Sequence, residues 1–155
     1  MRILTVFLML AALTACGAQI ASSPSVDVPR PATAGTTAPP PPADARTVDQ
    51  FDTTTAEERA EVIQAATAPR SAEVSLGTTV ASLGNPAEPG FWLETALVDD
   101  VAEGRVLVPS SGATVAVELR PIGGGAGAGS RMSLAAMRLL ELPLTGLPEV
   151  EVFRR

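Results

Sequence analysis

Apolar positions fall into two regimes along this chain. Residues 3–13 form one nearly unbroken apolar run, whereas from residue 73 onward apolar and polar positions interleave in short segments bounded by glycine and proline. Short segments rich in valine and threonine, with turn residues at their ends, predict strands. Residues 74–83, carrying Leu76, Val80 and Leu83, read as the first. Asn85-Pro86-Ala87-Glu88-Pro89-Gly90 is turn chemistry, and residues 91–98 read as a second strand. Residues 99–103 predict a turn, with Gly104 leading into a strand over 105–108 and a further turn over 109–112. Residues 114–119 alternate in places, and 149–153 alternate throughout, with Val150 and Val152 on one face. Between them lie a glycine-rich loop over 123–129 and a short helix. Ser133 caps that helix, which runs to Leu140 or Glu141, and Pro143 stops it.

Upstream, Thr55-Ala56-Glu57-Glu58 fits a capping box and predicts a helix over 56–66. Its apolar stripe of Ala60, Val62, Ile63 and Ala66 is narrow, so weak packing or fraying is expected. Residues 17–50 are rich in Ser, Ala, Thr and Pro, with an unbroken run from Pro39 to Pro42. Such a segment favours extended polyproline II and is expected to act as a disordered tether, reaching roughly 100 Å when stretched. The expected organisation is a signal peptide over 1–15, a linker over 16–50, a short helix and connector over 51–70, and a β-barrel-like domain over 73–155. The fold class is mainly β with one well-marked short helix. In a domain this small, Phe91, Trp92 and Phe153 are expected to carry a disproportionate share of the core.

The apolar N-terminal run follows Met1-Arg2 and ends on small residues, the form of a secretory signal and too short to span a bilayer as a mature helix. Leu13-Thr14-Ala15-Cys16 resembles the lipobox of bacterial lipoproteins. That resemblance implies acylation of Cys16, which becomes the mature N-terminus, and a location in the cell envelope. Several acyl chains at ~0.8 kcal/mol per buried methylene would hold the chain on the membrane. Gly17 in place of an aspartate implies the outer membrane, facing the periplasm. Acylation also accounts for a lone cysteine with no disulfide partner.

Charge and composition narrow the chemistry. The formal charge is −6 and becomes −7 when Arg2 leaves with the signal, which disfavours nucleic acid and anionic headgroups as partners. There is no histidine, tyrosine or lysine. This leaves no Ser-His-Asp triad, no Schiff-base or phosphate-cradling lysine and no usual zinc site, and neither cofactor nor metal is expected. Catalysis would rest on carboxylates, hydroxyls or arginine.

The segments Gly112 to Pro121, Gly129 to Leu140 and Val150 to Phe153, with Val80-Ala81-Ser82-Leu83-Gly84 upstream, resemble the double-psi β-barrel of the rare lipoprotein A family. The resemblance implies such a barrel over about residues 76–153 and a link to peptidoglycan. Glycan-cleaving members of that family use an aspartate in an Asp-Arg-Gly-Pro loop as acid. The matching stretch here is Leu119-Arg120-Pro121, and the family's second aspartate corresponds to Arg131. General acid catalysis on a sugar needs a protonated carboxyl at the glycosidic oxygen, and neither position supplies one. Leu76 to Gly84, Glu88 to Leu93 and Ser133 to Leu140 also resemble short bacterial envelope lipoproteins, some catalogued as D-galactarate dehydratase. That activity would require a metal or an acid–base pair.

The leading expectation is a non-catalytic binding or structural module that contacts peptidoglycan or an envelope protein. Its candidate binding residues are Arg120, Arg131 and Arg138, either as a patch for stem-peptide carboxylates or simply paired with surface acids, and Trp92 as a stacking platform. A core role for at least one of Phe91 and Trp92 competes with that platform, since strand neighbours face opposite sides. The competing expectation is a glycan-cleaving enzyme with a relocated acid, Glu118 or Glu94; a sugar-acid dehydratase is a third. Residues 123–128 formally match a relaxed dinucleotide fingerprint, but the domain is too small for paired βαβ units. Asp99, Asp100 and Glu103 are read as a solvated turn in preference to a calcium site.

Overall fold

The computed structural model describes residues 38–68, 73–125 and 127–155. The signal segment, Cys16 and residues 17–37 of the expected linker lie outside the described residues. Six strands form a closed barrel: β1 (Val74–Leu83), β2 (Trp92–Thr95), β3 (Ala102–Leu107), β4 (Thr114–Pro121), β5 (Ser130–Met132) and β6 (Glu149–Arg154). Among the described residues three helices accompany it, α1 (Val48–Phe51), α2 (Ala56–Thr67) and α3 (Leu134–Leu139). Around the barrel the order is β1-β5-β2-β4-β3-β6. The pairs β1–β5 and β2–β4 are parallel and the other four antiparallel.

This order maps onto itself when β1, β2 and β3 are exchanged with β4, β5 and β6. The connection from β1 to β2 must pass over β5, and the connection from β4 to β5 must pass over β2. Those two interlocked crossovers are what makes a double-psi barrel. They begin alike: Gly84 N donates to Met132 O at 2.8 Å, and Ile122 N donates to Thr95 O at 3.2 Å. The glycine-rich stretch of the sequence is the second crossover.

Alternation puts one face of each strand inside. Val115, Val117 and Leu119 of β4, Val106 of β3, Val150 and Val152 of β6, and Leu93 and Met132 are fully buried. Closing a six-stranded barrel leaves little room at its axis, and Gly104 supplies it. A Cβ there would lie 2.5 Å from Leu119 Cδ1 and 2.6 Å from the carbonyl oxygen of Phe153. The second contact is backbone and has no rotamer to retreat into. Gly104→Ala is expected to cost about 2 kcal/mol through overpacking, read as a lower denaturation midpoint.

The helix over 56–67 departs from expectation. It is packed: Val62 and Ala66 are buried on the outside of β4, covering the outward-facing Ala116. A narrow apolar stripe suffices because alanine on β4 allows close approach. The expected linker boundary at Gln50 also moves. Ala38 is buried, Thr53 Oγ1 donates to Pro39 O at 2.6 Å, and Thr47 caps the four-residue α1 in a capping box with Gln50. Residues 38–50 are therefore part of the folded domain, tied by the burial of Ala38, by the hydrogen bond from Thr53 to Pro39 and by the Asp49–Arg138 ion pair.

Candidate functional site

Three of the charged candidates meet in one row on the outside of the barrel. Glu94 on β2 stands in register with Arg120 on β4 and with Arg131 on β5. Arg131 Nε faces Glu94 Oε2 at 3.0 Å. Arg120 Nε faces Glu118 Oε1 at 2.5 Å, and its Nη1 pairs with Glu88 of the first crossover. Burial would lower the Arg120 guanidinium; its hydrogen bonds and charge pairing with Glu118 and Glu88 outweigh that and raise it above its ordinary value. Both candidate acids, Glu94 and Glu118, are thus in ion pairs, Glu94 with Arg131 and Glu118 with Arg120.

Trp92 is not available as a stacking platform. It is 1 % exposed and Phe91 is 4 % exposed, so both residues of the pair are core. Trp92 does point to the outer face of β2, as alternation requires, but the first crossover folds over it. Its indole N–H donates to Glu88 O at 3.4 Å, Arg120 lies 5.3 Å from its ring centroid, and a Cβ on Gly84 would fall 2.4 Å from its Cη2. The Glu88–Arg120–Glu118 pairing closes this cover.

Arg138 belongs to a different cluster. From the end of α3 it reaches Asp49 Oδ1 at 2.7 Å and Asp52 Oδ2 at 2.9 Å. Asp52 also accepts from Arg59 Nη2 at 3.0 Å, from Thr54 Oγ1 at 2.5 Å and from Thr54 N at 3.2 Å. This cluster clasps residues 49–59 to the barrel. All three candidate arginines therefore pair with acids. Asp99 and Asp100 are exposed and precede β3. Among the described residues no three Asp or Glu side chains are grouped to hold a metal ion, and no helix is long and apolar enough to cross a membrane.

Sequence reading missed a buried hydroxyl cluster and the cavities of the surface. Inside the barrel, Thr79 Oγ1 and Ser130 Oγ lie 3.0 Å apart, and Ser130 Oγ donates to Thr95 Oγ1 at 2.9 Å. These buried hydroxyls satisfy one another, as such groups must. Above them, two adjoining cavities of about 390 and 280 Å³ share Val80 and Gly129 and form one groove across β1. Leu147, Ile122 and Arg131 line one end of it, and Thr78 and Glu149 the other. A third cavity of about 750 Å³ lies between the 108–113 turn and the segment after α3. Glu141 on its rim holds φ 55 and closes α3 through Leu142 N to Met137 O at 2.9 Å, a position where glycine is usual.

No family model, curated protein or solved structure matches the chain. The candidate site is therefore defined by its own geometry: a groove over β1 flanked by a row of ion-paired carboxylates and arginines, above a barrel whose buried hydroxyls of Thr79, Ser130 and Thr95 bond one another.

Proposed function

We propose that the chain is a lipid-anchored envelope protein whose double-psi barrel binds peptidoglycan or an envelope protein and does not cleave glycan. The observation that carries this reading is the ion pairing of Glu94 with Arg131 and of Glu118 with Arg120. The matched stretch Leu119-Arg120-Pro121 lacks the family's first aspartate and Arg131 stands for the second, and among the described residues the neighbouring carboxylates Glu88, Glu94 and Glu118 are engaged by Arg120 and Arg131. The resemblance to the rare lipoprotein A family supports the choice of peptidoglycan, and the Leu13-Thr14-Ala15-Cys16 motif supports a membrane anchor in the envelope, at the outer membrane. The test is capture by purified sacculi and, separately, from envelope extract. Retention on either supports the reading, and retention on neither removes it.

Anchoring makes its own prediction. Cys16→Ser removes the thiol that forms the thioether, so the variant is expected to take up no labelled fatty acid and to leave the membrane fraction. The barrel is expected to keep its unfolding midpoint, because position 16 precedes the described domain by more than twenty residues. Wild-type chain that takes up no label would contradict the anchor.

A further inference from the structure

We infer that the groove over β1 is a binding site for a short extended peptide with a free amine at one end and a free carboxylate at the other. This deepens the reading above, resting on it only for the claim that the domain is a binding module. On β1, Val80 and Ser82 point outward, while Thr79 and Ala81 between and before them are buried. Glu149 on β6 is in register with Val80, and Arg131 on β5 is in register with Ser82. Registered neighbours share a face, so Glu149 and Arg131 stand at diagonal corners of one surface with β1 between them. Two strand spacings and one two-residue step separate them by about 12 Å.

At that separation the two charges do not pair with each other. Glu149 is exposed, and among the described residues no side chain pairs with it. Arg131 is 53 % exposed with Nε on Glu94, and a guanidinium fork carries five N–H donors. Between the corners Val80 and Leu147 open apolar surface, and the outward Ser82 hydroxyl beside them is engaged with Ser130 O at 3.3 Å. Val80 is 45 % and Leu147 68 % exposed, two of the few large hydrophobic side chains left open to solvent among the described residues, and both border this groove. Gly129 beside Val80 leaves the floor clear of a side chain. A ligand complementary to this surface carries positive charge at the Glu149 end, negative charge at the Arg131 end and small apolar groups between. An extended peptide of three to four residues, at ~3.4 Å per residue, spans the distance.

The test is titration calorimetry of the full chain in detergent with tetra-alanine, its N-acetyl form, its C-terminal amide and di-alanine. Tetra-alanine is expected to bind. Acetylation and amidation are each expected to weaken it about fivefold, the upper end for an exposed charge pair, and di-alanine to bind more weakly because it cannot reach both corners. R131Q is expected to bind tetra-alanine and its amide alike while still binding the acetyl form more weakly. E149Q is expected to show the reverse. Both positions are exposed, and unchanged unfolding midpoints would confirm that folding is intact. Absence of binding by the wild-type chain at millimolar tetra-alanine, or end-group discrimination that neither variant alters, overturns the inference. Retained capture by sacculi or envelope extract alongside no peptide binding would overturn this inference alone. Peptide binding with the expected end-group pattern but no envelope capture would uphold it and remove the function proposed above.

Discussion

Trp92→Ala is expected to destabilise the domain by about 4 kcal/mol, within the range for truncating a buried aromatic side chain. Three attachments are lost along with the ring's burial. The indole N–H no longer fastens Glu88 O, Arg120 loses the ring it lies over, and the space beneath Gly84 empties. The backbone of Trp92 also ties β2 to the start of α3, donating from its N to Ser133 Oγ at 3.2 Å and accepting from Ser133 N at 3.0 Å. Collapse of the cover would thus spread to the α3 cap. Against a typical total of about 5–15 kcal/mol, this loss leaves a marginal fold. Trp92→Phe keeps most of the apolar area and is expected to cost less than half as much. Denaturant unfolding followed by far-ultraviolet circular dichroism measures both. Equal midpoints for wild type and Trp92→Ala would mean that the ring is not the keystone described here. The wild-type protein carries one tryptophan, so its emission should red-shift on unfolding.

Asp52→Asn is expected to cost about 3 kcal/mol at neutral pH. The Asp52 side chain is 1 % exposed and serves two guanidinium groups at once. An amide keeps an acceptor for Thr54 but abandons both cations. Arg59 and Arg138 are 38 % and 34 % exposed, so water recovers part of the loss and the value stays at the lower edge for breaking a buried pair. The effect depends on pH in a defined direction. Burial would raise the Asp52 carboxyl; hydrogen bonds from the Thr54 hydroxyl and amide, with the charges of Arg59 and Arg138, outweigh it and hold the group below the ordinary aspartate range. A folded value below the unfolded one of about 3.9 contributes stability that is present above that pH and is lost as pH falls through the folded value. The gap between wild type and variant should therefore be full at pH 7 and shrink below about pH 4. Thermal unfolding at both pH values reads it, and limited proteolysis should cut the variant faster between residues 38 and 55. A gap independent of pH would contradict the assignment of charge to Asp52.

Local pattern carried most of the barrel. Residues 114–119 and 149–153 announce β4 and β6 because each strand has one buried face, and Ser133 announces α3 because its hydroxyl accepts from Ala136 N. The double-psi order itself rested on the resemblance, and the strand register now shows it. β5 escaped notice: three residues, Ser130–Met132, are too few to show a period. β3 begins at Ala102, inside the expected turn, because pairing with Leu119 and Glu118 extends it. The folding of residues 38–50 was legible only in the Thr47 to Gln50 capping box; their remaining ties are to backbone and to Arg138. The candidate site was legible as residue types and not as an arrangement. That Glu94 sits between Arg120 and Arg131 follows from β2 lying between β4 and β5, a long-range fact with no local signal. The burial of Trp92 has the same cause, since it depends on a crossover that folds back over the outer face.

Binding without cleavage is read out by incubating the purified full chain with sacculi and analysing pellet and supernatant from the same sample. Protein is expected in the pellet, with no released anhydro-muropeptides at high protein loading. Release of such products, abolished by Glu118→Gln or Glu94→Gln, would contradict it.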